Sequence, residues 1–162
     1  MDFVTQLPET SKGYDALMVV VDRLTRMTVL IPTYTHVTAP EAARLFFEHV
    51  FTRYGMPTSI VSDRDPRFTG NFWQHLYKCL GTKLRMSSAY HPQTDGLTER
   101  MNRTVEQMLR NYVNDMQEDW DDHLAATEFA VNNTEQASTK ATPFSLVHGR
   151  QAVTPVTLLS VT

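Results

Sequence analysis

The order of periodicities along the chain predicts an α/β fold, a mixed sheet flanked by helices. Three strand-like runs separated by turns come first, strands separated by helices follow, and helices alone close the chain. That succession fits a sheet whose first strands are antiparallel and whose later ones are joined through helices. No repeat, low-complexity tract or linker divides the 162 residues, so one domain over 1–162 is expected, with 41% apolar residues to fill its core.

Each element has its own local signal. Met1 to Leu7, Ala16 to Asp22 and Met27 to Ile31 read as strands, with turns at Pro8 to Tyr14 and Asp22 to Arg26. Thr38 and Glu41 stand at capping-box spacing. The helix they open is expected to bury Ala42, Leu45, Phe46, Val50 and Tyr54 before Gly55 and Pro57 stop it. Thr58 to Ser62 is a fourth strand. A helix from about Gly70 then presents Phe72, Trp73, Leu76, Tyr77 and Leu80 on one face, and Thr82 to Met86 reads as a fifth strand. Helices over about 95–117 and 119–133 follow, with a short one near Thr142-Pro143. Cys79 falls in an apolar helical segment and reads as a buried, inert thiol; Trp120 reads as core.

Composition excludes several classes. One cysteine permits neither an intramolecular disulfide nor a Cys-rich zinc module, and no two of the six histidines are spaced as a zinc pair. The longest apolar run, Ala16 to Val21, is far too short to span a bilayer, so no membrane association is expected. Acidic Asp2 directly after Met1 does not look like a signal peptide, and no other targeting signal is apparent.

The net charge of −3 hides an asymmetry. Residues 1–52 hold four basic and six acidic groups, residues 53–110 nine and five, and residues 111–162 two and seven. The middle third, at +4, is the natural phosphate-facing surface.

Three carboxylates stand out. Asp2 lies in the first strand, Asp63 directly follows the fourth, and Glu99, separated from Asp63 by thirty-five residues, sits in the first turns of a long helix. Carboxylates on two strand ends and one helix can converge on one point, where a hard cation such as Mg²⁺ would relieve their repulsion. The apolar stripe of that helix is Leu97, Met101, Val105, Met108, Leu109, Tyr112, Val113 and Met116. Glu99 lies roughly 200° from Leu97 and shares a face with Arg103, Glu106 and Arg110. A solvated Glu99–Arg103 pair is therefore the plainer reading of that spacing. Asp65 is a second candidate in the turn after Ser62, although beside Pro66 it reads as turn chemistry. Asp22 also reads as a turn residue.

Taken in order, the blocks Met1 to Val4, Val19 to Thr25, Ser62 to Phe68, Tyr90 to Asn102 and Thr142 to Arg150 resemble the catalytic core of retroviral-type integrases, and most of all the gypsy class of LTR retrotransposons. The resemblance covers nearly the whole chain. It implies an RNase H-like fold with a five-stranded mixed sheet, and a metal-dependent polynucleotidyl transferase that processes the 3′ ends of element DNA and joins them to target DNA. Asp2, Asp63 and Glu99 would hold two Mg²⁺ or Mn²⁺ ions. Tyr90, Pro92, Gln93, Arg100 and Arg103 would contact DNA. It further implies a polyprotein fragment with the upstream part of the first strand truncated and the flanking zinc-binding and C-terminal DNA-binding modules absent. A homo-oligomer in the full-length protein, and action in the nucleus after synthesis in the cytoplasm, are expected on the same ground.

Two other readings are open. A hydrolase of the RNase H kind would need an extra Glu on the first helix; Glu48 is placed for it but lies on the charged side beside Arg44. An integrase-derived interaction module without activity would not need all three carboxylates.

Overall fold

The structure is a computed structural model that describes residues 1–58, 60–62, 66–68, 70–80, 90–92 and 96–155, with the side chains of Pro66 and of residues 90–92 outside that description. Asp2–Val4 (β1), Ala16–Val21 (β2) and Thr28–Thr33 (β3) form an antiparallel sheet in that order. Ile60–Ser62 (β4) and Tyr90–Pro92 (β5) form a parallel pair. The Met1 amine donates to the Val61 carbonyl at 2.7 Å, which lays the start of β1 against β4.

The helices are Ala39–Phe46 (α1), which runs through a π-helical turn, Phe47–Phe51, into Thr52–Tyr54 (α2), then Gly70–Cys79 (α3), Gly96–Leu109 (α4), Leu124–Asn132 (α5) and Pro143–His148 (α6). They cover both sheet faces. Phe3, Met18, Val29 and Ile31 pack with Phe46, Phe72 and Leu76 of the first helices, with Phe3 stacked on Phe68 at 4.9 Å. Leu17, Val19, Val21 and Leu30 pack with Met101, Val105 and Leu109 of α4 and Leu124 and Val131 of α5. The alternation of β2 between these clusters is the period of two that a strand buried on both faces imposes.

Local signals explain most boundaries. The Glu41 carboxylate accepts from both the backbone N–H and the hydroxyl of Thr38, each at 2.8 Å, as the capping spacing predicts. Thr142 caps α6 by accepting from the Ser145 N–H at 3.1 Å, and Gly149 ends it at φ +68°. Asp22 holds its turn through the Thr25 N–H and hydroxyl, and Trp120 is core, its Nε1 donating to the Pro8 carbonyl at 2.7 Å.

Several expectations are corrected. The described strands make a three-stranded sheet and a two-stranded pair, not one continuous five-stranded sheet. The strand expected at 82–86 lies outside the described residues, and β5 instead falls on Tyr90–Pro92, read from the sequence as loop. Pro92 takes the last register position, opposite Ser62, where its missing N–H ends the ladder. β1 stops at Val4, because Gln6 turns left-handed at φ +64°. β3 runs on through Pro32 to Thr33.

Helix α4 ends at Leu109, not near 117. Asn111, Asn114 and Asp115 favour side-chain-to-backbone bonding over helix, and the Asn114 N–H donates to Asp119 at 3.0 Å. Tyr112 and Met116, placed on the apolar stripe by spacing, are consequently exposed. The next helix opens with a 3₁₀ turn, Trp120–His123, before α5. Tyr54 and Cys79 are exposed, the thiol lying on the outer face near the end of α3.

Candidate active site

Asp2 is the second residue of the first strand and half-buried, its side chain on the α4 side of the sheet. One carboxylate oxygen accepts the N–H of Phe3 at 2.8 Å; the other accepts Asn102 Nδ2, also at 2.8 Å. The second bond crosses from strand to helix and ties β1 to the first half of α4. Asn102 lies three residues after Glu99, so the two occupy adjacent positions on one helix face. Glu99 itself is exposed, and among the described residues it forms no ion pair with Arg103. The solvated pair suggested by spacing is therefore not made.

Asp63 lies outside the described residues. The strand that leads into it is described: Ser62, fully buried, ends β4, and the Met1 amine holds Val61. The start of β1, which bears Asp2, and β4 are thus neighbours, and the α4 segment bearing Glu99 is docked on β1. Asp65 also lies outside the description.

Asn102 is the residue that sequence reasoning did not single out. It is 8% exposed, and its Oδ1 is a buried acceptor with no hydrogen-bond partner among the described atoms. A buried amide oxygen without a partner costs about 1–3 kcal/mol, so a native fold keeps one only where something else satisfies it. The available signal was an amide three residues after Glu99 on a helix whose other inward positions, Thr98 aside, are apolar. Carboxylate and amide oxygens are the donors that a hard divalent cation takes, so Asp2, Glu99 and the Asn102 surroundings fit Mg²⁺ or Mn²⁺ in kind. Among the described residues alone, no three His, Cys, Asp or Glu side chains come together.

The expected DNA contacts divide. Tyr90 and Pro92 contribute backbone to β5, with side chains outside the description, and Gln93 lies outside it altogether. Arg100 and Arg103 are exposed on the first half of α4, beside Glu99. Arg67, counted among the basic surface residues, is engaged by the protein: Nη1 donates to the Thr35 carbonyl at 3.2 Å, and the guanidinium lies 3.8 Å from the Phe3 ring centroid.

Strands flanked by helices on both faces, with β1 tied to α4 through Asp2 and Asn102, make a fold of the RNase H-like integrase-core kind. The fold is shared with solved structures at low sequence identity: the HTLV-2 integrase catalytic core domain in complex with magnesium superposes with a TM-score of 0.63 at 20% identity, over 90% of this chain and 100% of that one. The chain of a simian T-cell lymphotropic virus intasome, in complex with PP2A regulatory subunit B56 gamma, gives 0.67 at 19% identity over 95% and 57%.

Residues 1–92 match the integrase core domain, and the chain belongs to that family, whose members are polynucleotidyl transferases acting in DNA integration. The transposon Tf2-3 and Tf2-4 polyproteins of Schizosaccharomyces pombe are each 41% identical to it over 148 residues, 91% of this chain. The chain spans 11% of the length of those relatives.

Proposed function

We propose that this chain is the single catalytic core domain of a longer polyprotein. In this reading it is a metal-dependent strand transferase that processes the 3′ ends of element DNA and joins them to target DNA. The observation that carries the reading is the Asn102–Asp2 hydrogen bond at 2.8 Å, because it docks the Glu99 end of α4 onto the strand bearing Asp2. The Met1–Val61 bond supports it from the other side, since β4 leads directly into Asp63.

Asp2, Asp63 and Glu99 would hold two Mg²⁺ or Mn²⁺ ions. Such ions activate the attacking hydroxyl and stabilise the leaving oxygen of an in-line displacement at phosphorus. The chain's own part is orientation. Asp2 has one oxygen set by its strand neighbour and the other by Asn102, while Glu99 stands in solvent, uncommitted to Arg103. Arg100 and Arg103 flank it where phosphate oxygens would pass, and the segment Tyr90, Pro92 and Gln93 would approach the same strand. Water as nucleophile releases a 3′-hydroxyl end. That hydroxyl, attacking a target phosphodiester, forms one P–O bond and breaks another, so joining needs no external energy source and no covalent enzyme intermediate.

The alternative of RNA–DNA hybrid cleavage is disfavoured by Glu48, whose carboxylate pairs with Arg44 at 3.0 Å. Assembly as a homo-oligomer and action in the nucleus belong to the same proposal, since joining two ends to chromosomal DNA requires both. The test is a labelled branched DNA that mimics the integration product, with Mg²⁺ or Mn²⁺ and with EDTA. Metal-dependent resolution of the branch supports the reading; cleavage of an RNA–DNA hybrid but not of the branch would replace it with the nuclease.

A further inference from the structure

The end of the sheet where β1 finishes carries three rings that this chemistry does not use. Tyr14 and Tyr34 lie 5.3 Å apart between ring centroids, and Tyr34 and His36 5.4 Å apart. Tyr34 keeps 38% of its surface in solvent and His36 is exposed. The backbone beneath them is pinned. The Thr35 N–H donates to Asp15 Oδ1 at 2.6 Å, the Thr35 carbonyl accepts from Arg67, and the Val37 N–H donates to the Tyr34 carbonyl at 3.0 Å. Rings presented from a fixed turn lose little freedom when something stacks on them.

Their position relates them to the candidate site. Asp2 pairs with Val19 and Val19 with Leu30, so Tyr34 is two strands across and four residues along, roughly 16 Å from Asp2 by strand geometry. That is about five base steps at ~3.4 Å each. Arg67 touches Thr35 at one end and covers Phe3 at the other, on the face of the sheet opposite the Asp2 side chain, so it braces the turn from behind. Asp15, the acidic group at this corner, is engaged by the Thr35 N–H, and Asp121 and Asp122 are both tied to Lys12 at 2.7 and 2.5 Å.

We propose that Tyr34 and His36 form a stacking ledge for unpaired bases of the DNA strand engaged at Asp2 and Glu99. The proposal rests on the strand-transferase reading and adds to it a contact blind to sequence, because every base offers a π-face to an aromatic ring. Tyr14 backs the ledge, and Arg67 holds its turn in place.

The experiment measures binding by fluorescence anisotropy of labelled oligo-dT and of a blunt duplex, over a salt series in EDTA, so that chemistry plays no part. Tyr34→Leu, His36→Leu and the double variant are compared with the parent and with Tyr34→Phe, and thermal melts are recorded for each. The double variant is expected to bind oligo-dT about tenfold more weakly with an unchanged salt slope, since stacking contributes no counterion release. Duplex affinity should change less than about twofold, and Tyr34→Phe should bind like the parent. Unchanged oligo-dT affinity overturns the ledge. So does equal loss on both DNAs, which would make the rings a packing device or a duplex contact. If Tyr34→Leu melts early, His36→Leu alone carries the test. Failure of the strand-transferase reading shows separately, as absence of metal-dependent branch resolution in a parent protein that still discriminates oligo-dT.

Discussion

Asn132 on α5 closes the edge of the sheet at Thr28 by imitating a peptide group. Its Oδ1 accepts the Thr28 N–H at 2.8 Å and its Nδ2 donates to the Thr28 carbonyl at 2.8 Å, both buried. One turn earlier, Glu128 accepts the Leu30 N–H at 2.8 Å. The next outward-facing position of β3 is Pro32, which has no N–H to satisfy. An edge strand that presented all these groups would invite pairing with another chain; here two helix side chains and a proline remove the template.

Asn132→Ala should therefore leave two buried backbone groups of Thr28 unpaired and cost roughly 2–4 kcal/mol. Urea unfolding of the variant and parent, compared at equal slope, measures it. A loss under about 0.5 kcal/mol would mean that water replaces the amide.

Glu128 predicts a pH dependence. Burial raises its carboxyl above the ordinary 4.5, against the opposing pull of the Leu30 N–H and Arg53. A folded-state value above the unfolded one means that the charged form costs the fold. That cost is fully present above the raised value and gone below about 4.5. Glu128→Gln keeps an oxygen for Leu30 and removes the charge. The variant should equal or exceed the parent in stability at pH 8, and the two should converge as pH falls towards 4.5. A variant less stable at pH 8 would show that Arg53, 3.9 Å from Glu128, outweighs burial.

Glu99→Gln separates fold from chemistry. Glu99 is exposed and off the apolar stripe, so its melting temperature should stay within about 2 °C of the parent. Metal-dependent branch resolution should fall by at least about 100-fold, because an amide is a poorer ligand. Retained activity would remove Glu99 from the proposed site.

Asn102→Ala probes the contact that docks α4 on β1. Losing the donor to Asp2 should cost about 1–2 kcal/mol in a urea melt. Mn²⁺ affinity, followed by calorimetry, should drop roughly 10–100-fold, as when a ligand loses its orienting partner. Weakened folding with unchanged Mn²⁺ affinity would leave Asn102 a purely structural residue.

The turns, caps and most strands were legible because their causes are local. Thr38 with Glu41, Thr142 with Ser145 and Asp22 with Thr25 bond within a few residues of each other. The length of α4 was misread because apolar spacing continues to Met116 while Asn111, Asn114 and Asp115 break the backbone pattern. β5 was read as loop because Tyr90-His91-Pro92 carries no alternation; its strand character comes from β4 alongside.

The sequence by itself determined the α/β class, the alternation that fills two cores, the capped helix ends and the candidate carboxylates Asp2, Asp63 and Glu99. These depend on periodicity and short-range chemistry, which residue order carries directly. Tertiary structure decided that Asn102 holds Asp2, that Arg67 is spent on Phe3 and Thr35, and that Glu128 and Asn132 seal β3. Those partners stand 32 to 104 residues apart. Only the docking of helix on strand brings such groups within hydrogen-bonding distance, and no local spacing encodes that distance.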